Sequence, residues 1–185
     1  ILKSTLINHK VEIAKSPFLK AANVYCVINN ISSQQFGILL ECFMINRFKF
    51  NKTTAAALNG DCSTDNHNIE LKVSLGGKTF NKFNYVQIRP SHDIQYYVFT
   101  AFHLTLFNHE DMGDLYVFKI SKASMNDLII RFGGYAHGTV REFGEITKDS
   151  LIDSKKEYAI RPTYGSACWN ALLNFRIDEN ELFQL

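Results

Sequence analysis

The stretch that decides the fold is GDCSTDNHNIELKVSLGGKTFNKFNYVQIR, residues 60–89. Its middle, NIELKVSL, alternates between apolar and polar side chains, as a half-buried strand does. The apolar positions are Ile69, Leu71 and Val73, and the polar positions are Glu70, Lys72 and Ser74. A polar turn, CSTDNHN, precedes this strand and two glycines follow it. The pattern predicts a hairpin before the strand and a second one after it, in which FNYVQIR returns.

Two carboxylates meet in the first of these hairpins. Asp61 lies nine residues before Glu70, so that folding the polar turn brings the two side by side on neighbouring strands. Directly opposed side chains have their Cβ atoms about 5 Å apart, where like charges repel. A divalent cation between them would turn this repulsion into binding energy. Because Mg²⁺ takes oxygen ligands and typically one or two carboxylates, we expect a Mg²⁺ site here.

Lys72 shares a strand face with Glu70, because residues two apart on a strand point the same way. Bound Mg²⁺ acidifies a water for attack on phosphorus and offsets the charge that builds on a phosphate. Lys72 could orient that water or stabilise the same charge. Nearby carboxylates raise the proton affinity of a lysine and burial lowers it, so the choice between base and cation stays open. A solvated cross-strand ion pair is the alternative interpretation of E-x-K.

Glu41 is the third acidic candidate. Ser32 and Gln35 have capping-box spacing for a helix over QQFGILLECFMINRF, residues 34–48. Its apolar stripe is Phe36, Leu39, Leu40 and Phe43, closed by Arg47. On such a helix the neighbours of Glu41 are almost all apolar, which is costly for a carboxylate unless it is paired or binds a metal. Glu41 is thus a further metal ligand or water-positioning base, or a glutamate at the helix edge that reaches solvent.

The remaining pattern favours one mixed α/β domain. The first 50 or so residues are predicted to be helical, with a helix start at Ser16-Pro17, and the sheet to begin near residue 57. Further strands are predicted at YYVFTAFHL and LYVFKI, residues 96–104 and 115–120, joined by a polar loop. A helix is predicted at SMNDLIIRF, ending at Gly133-Gly134. The C-terminal third mixes short elements, of which ACWNALLNF is the most clearly apolar. A length of 185 residues suits a single domain spanning 1–185.

Composition narrows the class without naming a function. With 46% hydrophobic and 21% charged residues and a net charge of +2, the chain matches a globular protein whose phosphate-binding surface would have to be local. The four cysteines form no C-x-x-C pair, which disfavours a zinc site and favours a reducing cytoplasm. No apolar run suggests a signal peptide or a membrane helix, so we expect no membrane association.

The acidic pair and the lysine resemble a known signature. Asp61…Glu70-x-Lys72 resembles the D…(D/E)-x-K motif of the PD-(D/E)xK nuclease superfamily, with Gly60 where the name has Pro. The resemblance implies a restriction-endonuclease-like fold, a mixed central sheet flanked by helices, and Mg²⁺-dependent hydrolysis of DNA. It implies that Asp61, Glu70, Glu41 and the backbone carbonyl of Leu71 hold the metal, with Lys72 catalytic beside them.

Three further segments resemble restriction endonucleases that cut at a distance from their recognition site. They are ISSQQFGILLE, IELKVSLGGKTFNKFNYVQIRPSHDIQYY and GGYAHGT, within residues 31–139. The likeness is to the small catalytic subunit of heterodimeric Type IIS enzymes, in which a larger nicking subunit recognises the DNA. It implies a bacterial cytoplasmic protein with two partners, double-stranded DNA and that large subunit. The alternatives are a self-sufficient homodimeric Type II enzyme and a non-catalytic assembly protein of the same fold.

The expected phosphate contacts lie after the central strand. Gln87 and Arg89 alternate on one strand and should face the same way, with Arg89 near the scissile phosphate or in a structural salt bridge. Lys78 borders the second turn and could steer DNA by its charge. His137 follows two glycines whose backbone amides could meet a phosphate, unless this segment is only a structural turn.

Overall fold

Two β-sheets and four helices form the part of the molecule that the computed structural model describes, residues 33–54, 58–76, 81–103, 114–178 and 181. The strands are β1 (Asn51–Lys52), β2 (Cys62–Ser63), β3 (Asn68–Gly76), β4 (Tyr85–Ile88), β5 (Tyr96–His103), β6 (Asp114–Ser121), β7 (Gly133–Tyr135) and β8 (Tyr158–Ile160). The helices are α1 (Ser33–Phe48), α2 (Lys122–Phe132), α3 (Val140–Phe143) and α4 (Ala167–Leu173), with a 3₁₀ turn at Ser150–Ile152.

The larger sheet is mixed, with strand order β1-β2-β3-β5-β6. Strands β3 and β5 run parallel from Ile69↔Tyr96 to Gly76↔His103, and the other pairs are antiparallel. After its first residue β5 is buried throughout, as its near-continuous apolar sequence indicates for a central strand. The predicted strands at 68–75, 96–104 and 115–120 are therefore confirmed.

The smaller sheet corrects one prediction. Its order is β4-β8-β7, all antiparallel, so FNYVQIR does not return beside the central strand as a hairpin partner. The physical reason is that β4 pairs with β8 instead, at Tyr85↔Ile160 and Ile88↔Tyr158, a long-range partner that its local pattern does not reveal. Strand β4 belongs to the second sheet instead. Just before β4 begins, the Asn84 backbone N–H donates to Ser74 Oγ of β3 at 2.8 Å.

Helices cover both faces of the mixed sheet. Helix α1 lies over the face that carries Ile69 and Val98, where Met44 completes a small core. The opposite face meets α2, α4 and the smaller sheet in the main core, which contains Phe99 and Trp169. A mixed α/β architecture with a mixed central sheet flanked by helices is thus confirmed. No helix within the described ranges is long and apolar enough to cross a bilayer.

Helix α1 has the predicted extent but a different buried face. The expected stripe puts Leu39 and Phe43 inward, yet these side chains are 48% and 43% exposed, whereas Met44 is 4% exposed. Apolar residues surround this helix on all sides, so their spacing does not select the packed face. The face that packs on β3 is the one that carries Glu41.

The other helices begin and end at sequence signals. Ser121 caps α2 by accepting a hydrogen bond from the Ser124 backbone N–H, and the helix ends at Gly133 as predicted. Ser166 caps α4 in the same way. The predicted helix after Ser16-Pro17 and the turn at Gly77 lie outside the described residues, as does Ser32.

Candidate active site

The hairpin of β2 and β3 brings the two predicted carboxylates together. Its register pairs Cys62 with Ile69 and Ser63 with Asn68. The predicted hairpin is confirmed. At its end the Asp61 backbone N–H donates to the Ile69 carbonyl at 3.0 Å, which holds Asp61 beside β3. Asp61 and Glu70 line the same cavity, close enough for the charge of Asp61 to act on Glu70.

The Asp61 carboxylate is held in place by backbone groups. Its Oδ2 accepts a hydrogen bond from the Leu71 N–H at 2.8 Å. Its backbone carbonyl accepts from Thr53 N at 3.2 Å, and the Thr53 hydroxyl donates to the carbonyl of Gly60. These bonds fix where the carboxylate points before any ligand arrives.

Gly60 occupies the place where the resembled motif has proline, and the structure gives a reason. Its φ is +79°, in the left-handed region. A Cβ at this position would lie 2.5 Å from the carbonyl oxygen of Ile69, the oxygen that pairs with Asp61. Proline, with φ fixed near about −65°, cannot adopt this conformation. Glycine is therefore the residue that lets this hairpin close.

Glu70 and Lys72 form a largely buried ion pair. Lys72 Nζ lies 2.5 Å from Glu70 Oε1, and the two side chains are 19% and 13% exposed. Burial raises the pKa of Glu70, the positive charge of Lys72 lowers it, and the negative charge of Asp61 raises it again. The net direction is upward, so this carboxylate is poorly compensated by its present partner. The alternative of a solvated E-x-K pair does not describe this degree of burial.

Glu41 reaches the same region but has its own partner. It is half-buried, and its Oε1 lies 3.4 Å from Lys52 Nζ. Glu41 is therefore neither a glutamate that simply points into solvent nor a carboxylate whose only partner would be a metal. Burial and then the negative charges of Asp61, Glu41 and Glu70 raise the pKa of the Cys62 thiol to about 12. The negative charges of all three carboxylates therefore raise the pKa of the same group, the Cys62 thiol.

These groups surround a cavity of about 280 Å³. One wall comes from the mixed sheet and its hairpin, with Asp61, Glu70 and Lys72. Gln87, Arg89 and His92 line it as well, from β4 and the loop after it. Gln87 and Arg89 therefore do face the same space, as predicted. The cavity lies at the junction of the two sheets.

Arg89 forms an ion pair with Glu157, a partner that no sequence pattern indicates. Its Nε and one terminal nitrogen lie 2.7 Å and 2.6 Å from the same oxygen, Oε1 of Glu157. The structural salt bridge weighed for Arg89 therefore exists, on a side chain that also lines the cavity. Glu157 precedes β8 and is 68 residues away along the chain. No local signal links two residues so far apart.

The other predicted phosphate contacts differ in outcome. His137 is 80% exposed, and its Nε2 lies 3.7 Å from the second oxygen of Glu157, so it lies behind Arg89 and is not among the residues that line the cavity. Lys78 lies outside the described residues. Gln87 has a φ of +57°, unusual for a non-glycine residue, at a register irregularity between Tyr85 and Ile88.

His92 is a site residue to which sequence reasoning assigned no role. Its carbonyl accepts a hydrogen bond from Lys122 Nζ at 2.6 Å, which ties the loop to α2. Burial, with Arg89 next in importance, lowers the pKa of His92. The imidazole is therefore neutral at pH 7 and presents no competing positive charge to the cavity.

The donor set fits a hard divalent cation. Asp61 and Glu70 supply two carboxylates to one cavity, and Mg²⁺ commonly uses one or two carboxylates together with water and substrate. Within the described ranges, no three His, Cys, Asp or Glu side chains converge closely enough to hold an ion by themselves. Water and substrate oxygens would complete such a site, with Glu41 close by. The Leu71 carbonyl stays a predicted ligand.

A comparison with protein-family models finds no match, and neither does a comparison with curated proteins.

Proposed function

We propose that this protein is a Mg²⁺-dependent DNA endonuclease with a restriction-endonuclease-like fold. The observation that carries the proposal is that Asp61, Glu70 and Lys72 line one cavity, in which Lys72 pairs with Glu70 and which Arg89 and Gln87 also line. Carboxylates that can hold a metal, together with lysine and guanidinium groups that can offset charge, suit metal-assisted hydrolysis of a phosphodiester.

Each residue has a distinct role in this proposal. Asp61 and Glu70 hold Mg²⁺, which when bound supplies an acidified water and offsets charge on the phosphate. Lys72, whose Nζ lies 2.5 Å from Glu70 Oε1, stabilises negative charge at the attacked phosphorus or orients the attacking water. Arg89 and Gln87 bind non-bridging phosphate oxygens. Glu157 orients Arg89, and Glu41 orients water at the edge of the cavity.

The proposal extends to a subunit role in the bacterial cytoplasm. One such site hydrolyses one strand, so cutting both strands needs a second site. Phosphate contacts fix position but carry little sequence information, and the residues around this cavity offer phosphate contacts. We therefore assign the protein as the catalytic small subunit of a heterodimeric Type IIS restriction endonuclease. A larger nicking subunit then supplies recognition of double-stranded DNA.

The test is a cleavage assay on duplex DNA with each strand labelled separately. The protein is incubated with Mg²⁺ or with EDTA, alone and together with the large nicking subunit that the proposal requires. We expect one strand to be cut at a fixed distance from a recognition sequence, only with Mg²⁺ and only with the partner. Sequence-specific double-strand cleavage by the chain alone would instead identify a homodimeric enzyme. Absence of cleavage in every combination would favour a non-catalytic assembly protein.

A further inference from the structure

A second, larger groove continues from the catalytic cavity. Its volume is about 690 Å³. The two spaces share four lining residues, which are Glu41, Asp61, Lys72 and Gln87. From there the groove follows β3 past Ser74 to Leu75, a distance of about 10 Å from Lys72 at about 3.3 Å per residue. It is therefore an elongated extension of the site in one direction only.

The groove is acidic at one end and carries cationic and amide donors along the rest. Glu41 and Asp61 lie at the catalytic end. Beyond them Lys82, Asn84 and Gln87 line the wall, and all three are exposed. Within the described chain, no carboxylate forms an ion pair with Lys82. Ammonium and amide N–H groups spaced along a wall are donors suited to successive phosphates.

Helix α1 leaves room in the groove for a bulky ligand. Gly37 of α1 lines the groove, and a Cβ built on it would have no heavy atom within 4 Å. A glycine inside a helix costs about 1 kcal/mol relative to alanine, so it needs a reason. Here the missing side chain leaves this part of the groove open.

We propose that this groove binds the sugar–phosphate backbone of the cleaved strand, several nucleotides long, on one side of the scissile phosphate. The inference rests on the proposed function and deepens it. Lys82 and Asn84 hold the flanking phosphates, Gln87 bridges to the catalytic cavity, and Gly37 provides the clearance. The contacts are to backbone, so this subsite is independent of base sequence.

Binding to labelled DNA tests the groove without relying on cleavage. Fluorescence anisotropy of a labelled duplex, in Ca²⁺ at low salt, measures affinity for the wild type and for Lys82→Glu and Gly37→Phe. We expect each variant to bind about tenfold more weakly, and Lys82→Glu to lower the slope of log K against log salt by about one. Phenylalanine has a higher helix propensity than glycine, so Gly37→Phe should fold normally, which its thermal melting curve checks.

A matched control separates the groove from general charge. Lys155→Glu changes an exposed lysine that does not line the groove, and it should bind as the wild type does. Equal weakening by Lys155→Glu would overturn the assignment, as would unchanged binding in both groove variants. Tighter binding of labelled polyglutamate than of the labelled duplex, weakened by Lys82→Glu and Gly37→Phe, would identify an acidic protein segment as the occupant.

A length series distinguishes failure of the groove from failure of the proposed function. Substrates shortened by one nucleotide at a time, on either side of the cut, are tested with the partner subunit present. We expect shortening on one side of the cut to lower the cleavage rate at a length at which shortening on the other side has no effect. Gly37→Phe should abolish this asymmetry. Symmetric length dependence with intact, Asp61-dependent cleavage would reject the groove and keep the nuclease. Loss of Mg²⁺-dependent cleavage altogether would reject the nuclease, while the anisotropy result would still decide the groove.

Discussion

The two sides of the candidate site are built in different ways. On one side, Asp61 and Glu70 are nine residues apart and are brought together by a single hairpin. On the other side, Arg89 and Glu157 are 68 residues apart and meet because β4 pairs with β8. The acidic side, which we propose binds Mg²⁺, is thus local in sequence, whereas the basic side, which we propose binds phosphate, depends on the assembly of the smaller sheet.

This difference separates two kinds of failure. The hairpin can keep its register while the smaller sheet is disturbed, because β3 is anchored by β2 and β5 and not by β4. The proposed Mg²⁺ ligands would then persist without the phosphate-binding residues. Substitutions on the two sides should therefore affect different measurable quantities, and the following predictions run from the largest expected effect to the smallest.

Removing a carboxylate from the hairpin should have the largest effect on function. We expect Asp61→Asn or Glu70→Gln to lower kcat by about 10³-fold or more with the partner subunit present, because the proposed Mg²⁺ loses one of two charged ligands. Single-turnover cleavage of the labelled strand measures this. Asp65→Asn, an exposed residue of the same hairpin turn, is the control and should be unaffected. Activity retained in both Asp61→Asn and Glu70→Gln would show that the site is elsewhere.

Large-to-small changes in the two cores come next. Ile69 in the small core and Ile160 in the main core are both fully buried. Each change to alanine should lower the free energy of unfolding by about 2–5 kcal/mol. If the two sheets unfold together, urea denaturation followed by fluorescence and by circular dichroism gives a single coincident transition for both variants. A separate early transition in Ile160→Ala alone would show that the smaller sheet is an independent unit.

The contrast also explains what the sequence could predict. The hairpin and β3 follow from period-two alternation and a polar turn, and β5 follows from its near-continuous apolar run, all of which are local signals. The C-terminal end of α2 follows from Gly133, whereas its N-cap, Ser121, lies three residues before the start of the predicted helix. Asp61, Glu70 and Lys72 could be identified because, within one hairpin, spacing along the sequence determines which residues lie side by side.

What the sequence could not predict depends on long-range pairing. Strand β4 has an ordinary strand pattern, and nothing in it distinguishes β3 from β8 as its partner. The spacing of apolar residues does not identify the packed face of α1, because apolar residues surround that helix on all sides. Glu157 lies in a polar segment, KKEY, that looks like any solvated loop end, and its importance comes only from the position of Arg89.

Loss of the Glu157 carboxylate should have a moderate effect that differs in kind from loss of Asp61. In Glu157→Gln the guanidinium of Arg89 loses its charged partner and its fixed orientation. We expect about a tenfold rise in KM with a smaller change in kcat, because phosphate positioning is affected more than chemistry. Steady-state kinetics with varied DNA concentration measures the split.

A double-mutant cycle tests whether Glu157 acts through Arg89. Arg89→Ala combined with Glu157→Gln should be no worse than Arg89→Ala alone. Glu145→Gln, an exposed carboxylate near the same segment, serves as the control and should leave KM unchanged. Additive effects of the two changes would show that Glu157 contributes independently of Arg89, which contradicts its positioning role.

The smallest predicted effect concerns the pH dependence of Mg²⁺ binding, measured by calorimetry without DNA. Because the pKa of Glu70 lies above that of an ordinary glutamate, protons compete with the cation at a higher pH than usual. The affinity for Mg²⁺ should therefore be full above the raised pKa and fall as the pH decreases through it. In Asp65→Asn this dependence should be unchanged.

Lys72→Met sharpens this last prediction, since Lys72 occupies the position of a counter-ion at 2.5 Å from Glu70. Removing its charge raises the pKa of Glu70 further, so the loss of Mg²⁺ affinity should begin at a higher pH than in the wild type. At pH 8, above this range, the variant should bind Mg²⁺ severalfold more tightly because no ammonium group competes for the carboxylate. Unchanged affinity and unchanged pH dependence would mean that Lys72 and the cation do not share Glu70, and that the hairpin holds an ion pair rather than a metal site.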